Sequence, residues 1–208
     1  MEEVLSRKRD KPGELTPQVV ALPGGEVHLV QPSEATELPD AGAVEWAPIA
    51  PYWAVLWRSG VALASEVDRK NLAGRRVVEL GCGLALPSIA AARTGATVLA
   101  TDNEAEALEL AQRNAQLNET RIETAQVAWS SPELLLERAP FDLVLAADVL
   151  YERSAVAQLL DLLPRLAPRA LLADPGRPAA DAFLEQARRR WTVETRVRGV
   201  VEIHRLFA

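Results

Sequence analysis

Three stretches of this 208-residue chain carry residue types that can do chemistry together. The first is V-V-E-L-G-C-G-L-A-L-P-S-I, where an apolar run passes into Gly81 and Gly83 and then into a helix opened by Pro87. Only glycine lets a backbone turn this tightly and approach a ligand with no Cβ in the way. The loop therefore reads as the floor of a nucleotide-like pocket, with an ordinary turn as the alternative. The second is Asp102, 21 residues after Gly81 at the end of T-V-L-A-T-D. A carboxylate there can accept both ribose hydroxyls of a nucleoside, or it can cap the helix that follows Asn103. The third is a pair of runs, A-A-D-V-L-Y and L-L-A-D-P-G-R, each carrying a carboxylate past a buried strand. Asp148 in the first has an acid-base or orienting reading, whereas Asp174 with Arg177 reads at least as well as an ion pair shaping a rim.

Spacing separates the cofactors. A dinucleotide fingerprint wants glycine at 81, 83 and 86 so that a pyrophosphate can rest on the helix N-terminus, but Leu86 stands there and Pro87 follows. A single cysteine, Cys82, and two distant histidines, His28 and His204, supply neither an internal disulfide nor metal-ligand spacing, so no metal is expected.

These residues need a scaffold, and the pattern around them describes one. From Arg76 onward strand-like runs alternate with helical ones: V-V-E-L, a helix at 87–94, T-V-L-A-T, a helix at 104–117, R-I-E-T-A-Q-V, F-D-L-V-L-A-A, a helix at 153–163, A-L-L-A and a helix at 178–189. Alternation with nearly continuous apolar strands predicts an α/β fold, a mostly parallel sheet with helices on both faces. W-T-V-E-T-R-V and V-V-E-I-H-R-L-F, separated at Arg198-Gly199, break the rhythm and predict an antiparallel hairpin at the sheet edge. Ahead of this region, Trp53, Leu56, Trp57, Gly60, Leu63, Ala64 and Val67 recur at helical spacing and predict a helix over 53–69. Earlier still, V-V-A-L and V-H-L-V flank Pro23-Gly24-Gly25 as a β-hairpin. The segment spaced by Pro32, Pro39, Pro48 and Pro51 reads as a loop leading into the main domain.

Composition bounds the function. With 49% hydrophobic and 25% charged residues the chain is an ordinary folded protein, read as one domain at 51–208 with an N-terminal extension at 1–50. No apolar run is long enough to span a bilayer and M-E-E-V-L-S-R-K-R-D is not a signal peptide, so a cytoplasmic protein without a membrane partner is expected. Twenty-three basic against 29 acidic residues, net −6, argue against nucleic acid as a partner.

E-L-G-C-G-L-A resembles the first motif of the class I S-adenosylmethionine-dependent methyltransferases, an acidic residue followed by L-G-x-G-x-G, with Ala85 in place of the third glycine. A seven-stranded, Rossmann-like, mostly parallel sheet ending in an antiparallel hairpin is what that family implies. A narrower resemblance covers 45–208: P-Y-W-A-V-L-W-R-S-G, E-L-G-C-G-L-A-L-P-S-I, F-D-L-V-L-A-A-D-V-L-Y-E and A-D-P-G-R-P, in that order, look like the protein-lysine methyltransferases with a D-x-x-Y motif. The last element is most similar to the branch acting on the electron-transfer flavoprotein β subunit. The resemblance implies S-adenosylmethionine as cofactor and a protein as acceptor. It places Trp57, Glu79, Gly81, Cys82, Gly83, Asp102, Asn103, Trp129 and Ala147 around the cofactor, and Asp148 and Tyr151 at the acceptor. Each tryptophan can instead be plain core, the reading favoured for Trp46 and Trp53. A small-molecule N- or O-methyltransferase and a non-catalytic nucleotide-binding module are the rivals. A cysteine-nucleophile base methyltransferase is disfavoured because no Pro-Cys pair occurs, and an amino-methylating DNA enzyme because N-P-P-Y and D-P-P-Y are both absent.

Overall fold

The apolar runs of the sequence form the middle of a seven-stranded sheet, because strands covered on both faces must be apolar on both. The structure, a computed structural model, describes residues 13–36, 52–151 and 153–208. Its central strands are β3 (Arg76–Leu80), β4 (Thr97–Asp102), β5 (Glu123–Gln126), β6 (Leu143–Ala147) and β7 (Arg169–Asp174), all parallel. The last two, β8 (Thr192–Arg198) and β9 (Val201–Phe207), form the expected antiparallel hairpin. Strand β9 pairs with β7 and leaves β8 at the edge, giving the order β5-β4-β3-β6-β7-β9-β8. Chain direction around the sheet reverses between β3 and β6, so a crevice opens at the carboxyl ends of these two strands.

Two apolar layers close over the sheet. On one face α5 (Glu133–Arg138), α6 (Arg153–Leu166) and α7 (Pro178–Ala187) bury Leu135, Leu159, Leu163 and Phe183 against Val78, Val144 and Leu172. On the other, α2 (Arg58–Val67), α3 (Leu86–Arg93) and α4 (Ala105–Leu117) pack Leu63, Ile89 and Ala115 with Val77, Leu145 and Leu171. Helix α5 is absent from the sequence reading. Its six residues lie between Pro132 and Pro140, too few turns for a helical period to show.

The helix expected over 53–69 is shorter than its periodicity. Tyr52–Ala54 form a 3₁₀ turn, and α2 begins only at Arg58. Between them Trp57 is extended, at φ −71° and ψ 144°, and its indole Nε1 donates to the Tyr52 carbonyl at 3.1 Å. The aromatic spacing therefore reflects a side chain folded back over a turn, which the period alone does not distinguish from a helix.

The N-terminal hairpin, β1 (Leu15–Leu22) and β2 (Gly25–Pro32), forms as expected, followed by the short α1 (Ser33–Thr36); the remaining prolines of that segment and Trp46 lie outside the described residues. Val20, Leu22, Val27 and Leu29 enter the same apolar layer as Leu63 and Ile89. Among the described residues no strand pairs with the free edge of β2. Instead Asn114 Oδ1 accepts the Val30 N–H at 2.8 Å and Asn118 Oδ1 accepts the His28 N–H at 2.8 Å, while their Nδ2 groups donate to the Val30 and His28 carbonyls. Two asparagines one helical turn apart thus present to β2 the alternating donors and acceptors of a strand. Arg93 holds the hairpin turn by donating to the Gly24, Gly25 and Glu26 carbonyls. Because Asn114 is fully buried and also donates to the Leu84 carbonyl, Asn114→Ala leaves backbone groups unpaired. It should cost about 1 to 3 kcal/mol in urea denaturation; an unchanged midpoint would show that the stitching is dispensable.

Candidate active site

Strand β3 ends in a loop that turns left-handed three times. Gly81, Gly83 and Ala85 have φ of 66°, 48° and 60°. At Gly83 a Cβ would sit 2.5 Å from the Trp53 carbonyl oxygen, so the protein's own backbone demands this glycine. At Gly81 a Cβ would come to 3.2 Å from Val149 Cγ1. Ala85 stands where the motif has a third glycine and takes the left-handed conformation anyway, at a cost of about 1 to 2 kcal/mol. Its methyl packs with Cys82, Ala100, Leu108 and Ala111. Cys82 belongs to that cluster too: burial, with the Glu79 and Asp102 carboxylates nearby, pushes its thiol well up, away from the reactive thiolate.

The loop is pinned from β4. Asp102 Oδ2 accepts the Gly83 N–H at 2.9 Å and Oδ1 accepts the Glu104 N–H at 3.1 Å. Burial raises this carboxyl, and the backbone N–H groups of Gly83, Glu104 and Asn103 pull it back. Three N–H donors leave one of the carboxylate's four lone-pair sites for a further donor, so the two sequence readings of Asp102, loop anchor and hydroxyl acceptor, are compatible. Behind the loop Glu79 is 1% exposed. Its Oε2 accepts the Ser88 N–H at 2.9 Å and the Ser88 hydroxyl. Burial outweighs both bonds and lifts this carboxyl to about 8.

Across the switch point, β6 ends at Ala147 and the chain turns at Asp148, a non-glycine residue at φ 57° whose N–H donates to the Ala173 carbonyl. Arg177 Nη1 lies 2.5 Å from Asp148 Oδ1 and 3.1 Å from Asp174 Oδ2. Burial raises the Asp148 carboxyl; Arg177 and the Ser59 hydroxyl of α2 restrain the rise. Asp148 Oδ2 is buried and accepts no hydrogen bond of good geometry. Asp174 and Arg177 thus form the ion pair read from the sequence, and it includes Asp148.

All eleven residues singled out from the sequence line one open cleft of about 1120 Å³ at the carboxyl ends of β3, β4 and β6. Trp57, Trp129 and Ala147 are half-buried walls, Asn103 is exposed at the rim, and Tyr151 is 49% exposed at the mouth. Trp53, read as core, packs against the Ala35, Ala54 and Val55 cluster and lines the cleft as well. Tyr52 and Arg177 also line it. Both stand in motifs quoted from the sequence, Arg177 in D-P-G-R-P and Tyr52 in P-Y-W-A-V-L-W-R-S-G, although neither was singled out there as a site residue.

A profile of lysine methyltransferases matches residues 51–181. The chain belongs to the lysine methyltransferase family. Zebrafish (Danio rerio) protein N-lysine methyltransferase METTL21A is 33% identical to this chain over 152 residues, 68% of this chain and 69% of that one. Xenopus laevis histone-arginine methyltransferase METTL23 is 37% identical over 108 residues, and the Xenopus laevis electron transfer flavoprotein beta subunit lysine methyltransferase 33% over 135. The chain spans about half the length of these two, 46% and 53%, from 49% and 61% of its own. Among solved structures, the T. thermophilus 16S rRNA N2 G1207 methyltransferase in complex with AdoMet and guanosine superposes with a TM-score of 0.63 over 94% of this chain and 51% of that one. At 17% identity that likeness is one of fold.

Two variants probe the site's framework. Gly83→Ala should lose about 1 to 3 kcal/mol, since a left-handed alanine must also push the Trp53 carbonyl away; a parent-like melting temperature would refute the close approach. For Glu79, the folded chain keeps a proton that the unfolded chain has already lost. Its stabilising contribution is full below the ordinary value of 4.5, falls as pH rises to about 8, and is flat beyond. Glu79→Gln removes this slope, so in thermal melts the variant should gain on the parent across that window and keep a constant gap above it.

Proposed function

We propose that this chain transfers a methyl group from S-adenosylmethionine to the ε-amine of a lysine in a partner protein. One observation carries the reading: the glycine loop anchored on Asp102 and Asp148, whose buried Oδ2 has no hydrogen-bond partner, line a single cleft. The residues present fit the donor. Asp102 retains acceptor capacity for a hydroxyl donor, and half-buried Trp57 and Trp129 offer aromatic walls. When bound, S-adenosylmethionine supplies a methyl already activated by its sulfonium.

What remains for the chain is alignment and control of one proton. A free lysine ε-amine has a pKa near ~10.4 and is not nucleophilic while protonated. Partial desolvation in the cleft disfavours the ammonium, and Asp148 Oδ2 accepts an N–H of the amine and so orients its lone pair. Tyr151 walls the mouth. Protein rather than nucleic acid as acceptor is supported by the family and by the net charge of −6. The cytoplasm is supported by a lone, buried cysteine; among the described residues no helix is long and apolar enough to cross a membrane.

Calorimetry with S-adenosylhomocysteine should show binding that Asp102→Ala weakens by about 1.5 to 3 kcal/mol, the scale of charge-assisted hydrogen bonds. Affinity for NAD equal to that for S-adenosylhomocysteine would end the cofactor reading. With methyl-labelled donor and a host extract, label should appear on protein lysine. Asp148→Asn should slow its appearance by more than about tenfold with the fold and donor binding intact. Label confined to small molecules would favour a small-amine acceptor.

A further inference from the structure

At the acceptor end Asp148, Arg153 and Arg177 line the cleft, Asp174 lies buried behind Arg177, and one carboxylate oxygen has no partner. Asp174, 1% exposed, is saturated: its Oδ1 accepts the Gly176 and Arg177 N–H groups at 2.8 and 2.7 Å, and its Oδ2 accepts Arg177 Nη1. The same Nη1 covers Asp148 Oδ1 at 2.5 Å. Arg177 has little freedom to leave. Its backbone is tied to Asp174 at the start of α7, after a left-handed Gly176, and its guanidinium spans two carboxylates. Only Asp148 Oδ2 is left without a partner, at the point where the chain leaves β6.

We infer that Arg177 is a positioning residue that restricts this site to amine acceptors by occupying one edge of the Asp148 carboxylate. The inference rests on the reading of Asp148 as the residue that meets the acceptor. Two physical arguments support it. A guanidinium is recognised through a planar fork that needs two acceptor oxygens side by side, and Arg177 has already taken one of them; an amine needs a single acceptor atom. Charge acts in the same direction. An acceptor guanidinium would lie beside the Arg177 guanidinium with both groups permanently charged, whereas an amine sheds its proton before attack and the repulsion goes with it. The Arg177 cation then serves lysine twice, by holding Asp148 in place and by disfavouring a second cation next to it.

The test uses the full chain, methyl-labelled S-adenosylmethionine and the proteins of a host extract, with acid hydrolysis to separate methyl-lysine from methylarginine. The parent should give methyl-lysine alone. Arg177→Ala should lower lysine labelling by about tenfold or more, the scale of losing a charged hydrogen-bond partner, and admit methylarginine so that the lysine-to-arginine ratio falls as far. Millimolar methylguanidinium should restore both rate and ratio in this variant and do nothing to the parent. Arg177→Lys, which keeps a cation, should hold the ratio near that of the parent. If Arg177→Ala does not fold, Arg177→Gln takes its place with the same expectations. Methylarginine from the parent overturns the inference. So does a folded variant, still binding S-adenosylhomocysteine, whose ratio is unchanged or whose lost labelling methylguanidinium fails to restore. A parent that binds S-adenosylhomocysteine but labels no protein lysine removes the acceptor reading and this inference together; lysine labelling with an unaltered variant ratio removes the inference alone.

Discussion

The 2.9 Å bond from the Gly83 N–H to the Asp102 carboxylate joins the ends of β3 and β4. Much of the cleft follows from it. It holds the loop left-handed through Gly81, Gly83 and Ala85, and this sets where α3 starts and which way it leaves the sheet. It also brings Gly83 against the Trp53 carbonyl, so the 3₁₀ turn at Tyr52–Ala54 is seated directly on the loop. A side chain at position 83 would separate the two, and the cleft would lose one wall.

Four carboxylates cluster at these strand ends, and their surroundings give each a different task. Glu79 is buried with two donors from one serine and stays close to neutral. Asp102 is partly buried and compensated by backbone N–H groups. Asp174 is fully engaged by a backbone turn and a guanidinium. Asp148 is half engaged, with one oxygen paired and the other orphaned. Burying a carboxylate without a partner costs several kcal/mol, on the order of 1 to 3 for an unmet hydrogen bond. Among these four carboxylates it is Asp148 Oδ2 that bears this cost, the atom proposed to meet a reacting amine. A left-handed, non-glycine backbone at the same residue adds strain where the chemistry is proposed, as active sites commonly do.

The hairpin at the start of the chain shows how the scaffold is kept rigid behind the site. Its apolar face supplies Val27 and Leu29 to the layer that holds α2 and α3, while its edge is closed by Asn114 and Asn118 rather than by another strand. Asn114 bonds both β2 and the Leu84 carbonyl, so one buried side chain couples the hairpin to the glycine loop. Sheet edge and cofactor loop are thereby held by the same residue.

The alternation of apolar strands and amphipathic helices, the left-handed glycine loop after β3, the acidic residue ending β4 and the closing antiparallel hairpin were all legible in the sequence. Each is a local property: a period, a turn that needs glycine, or a boundary between two patterns. The break between Tyr52 and Arg58 was not, because a folded-back indole has the same spacing as a helical stripe. The short α5 was not, because it is too brief to have a period. Above all, the pairings that define the site join residues far apart in the chain: Arg177 with Asp148 across 29 residues, and Asn114 and Asn118 with β2 across 84 and 90. Composition and spacing placed the carboxylates at strand ends, but which of them would be saturated and which left open depended on how β6, β7 and α7 pack. Hydrogen-bond satisfaction is decided by three-dimensional proximity, and only the tertiary structure determines that.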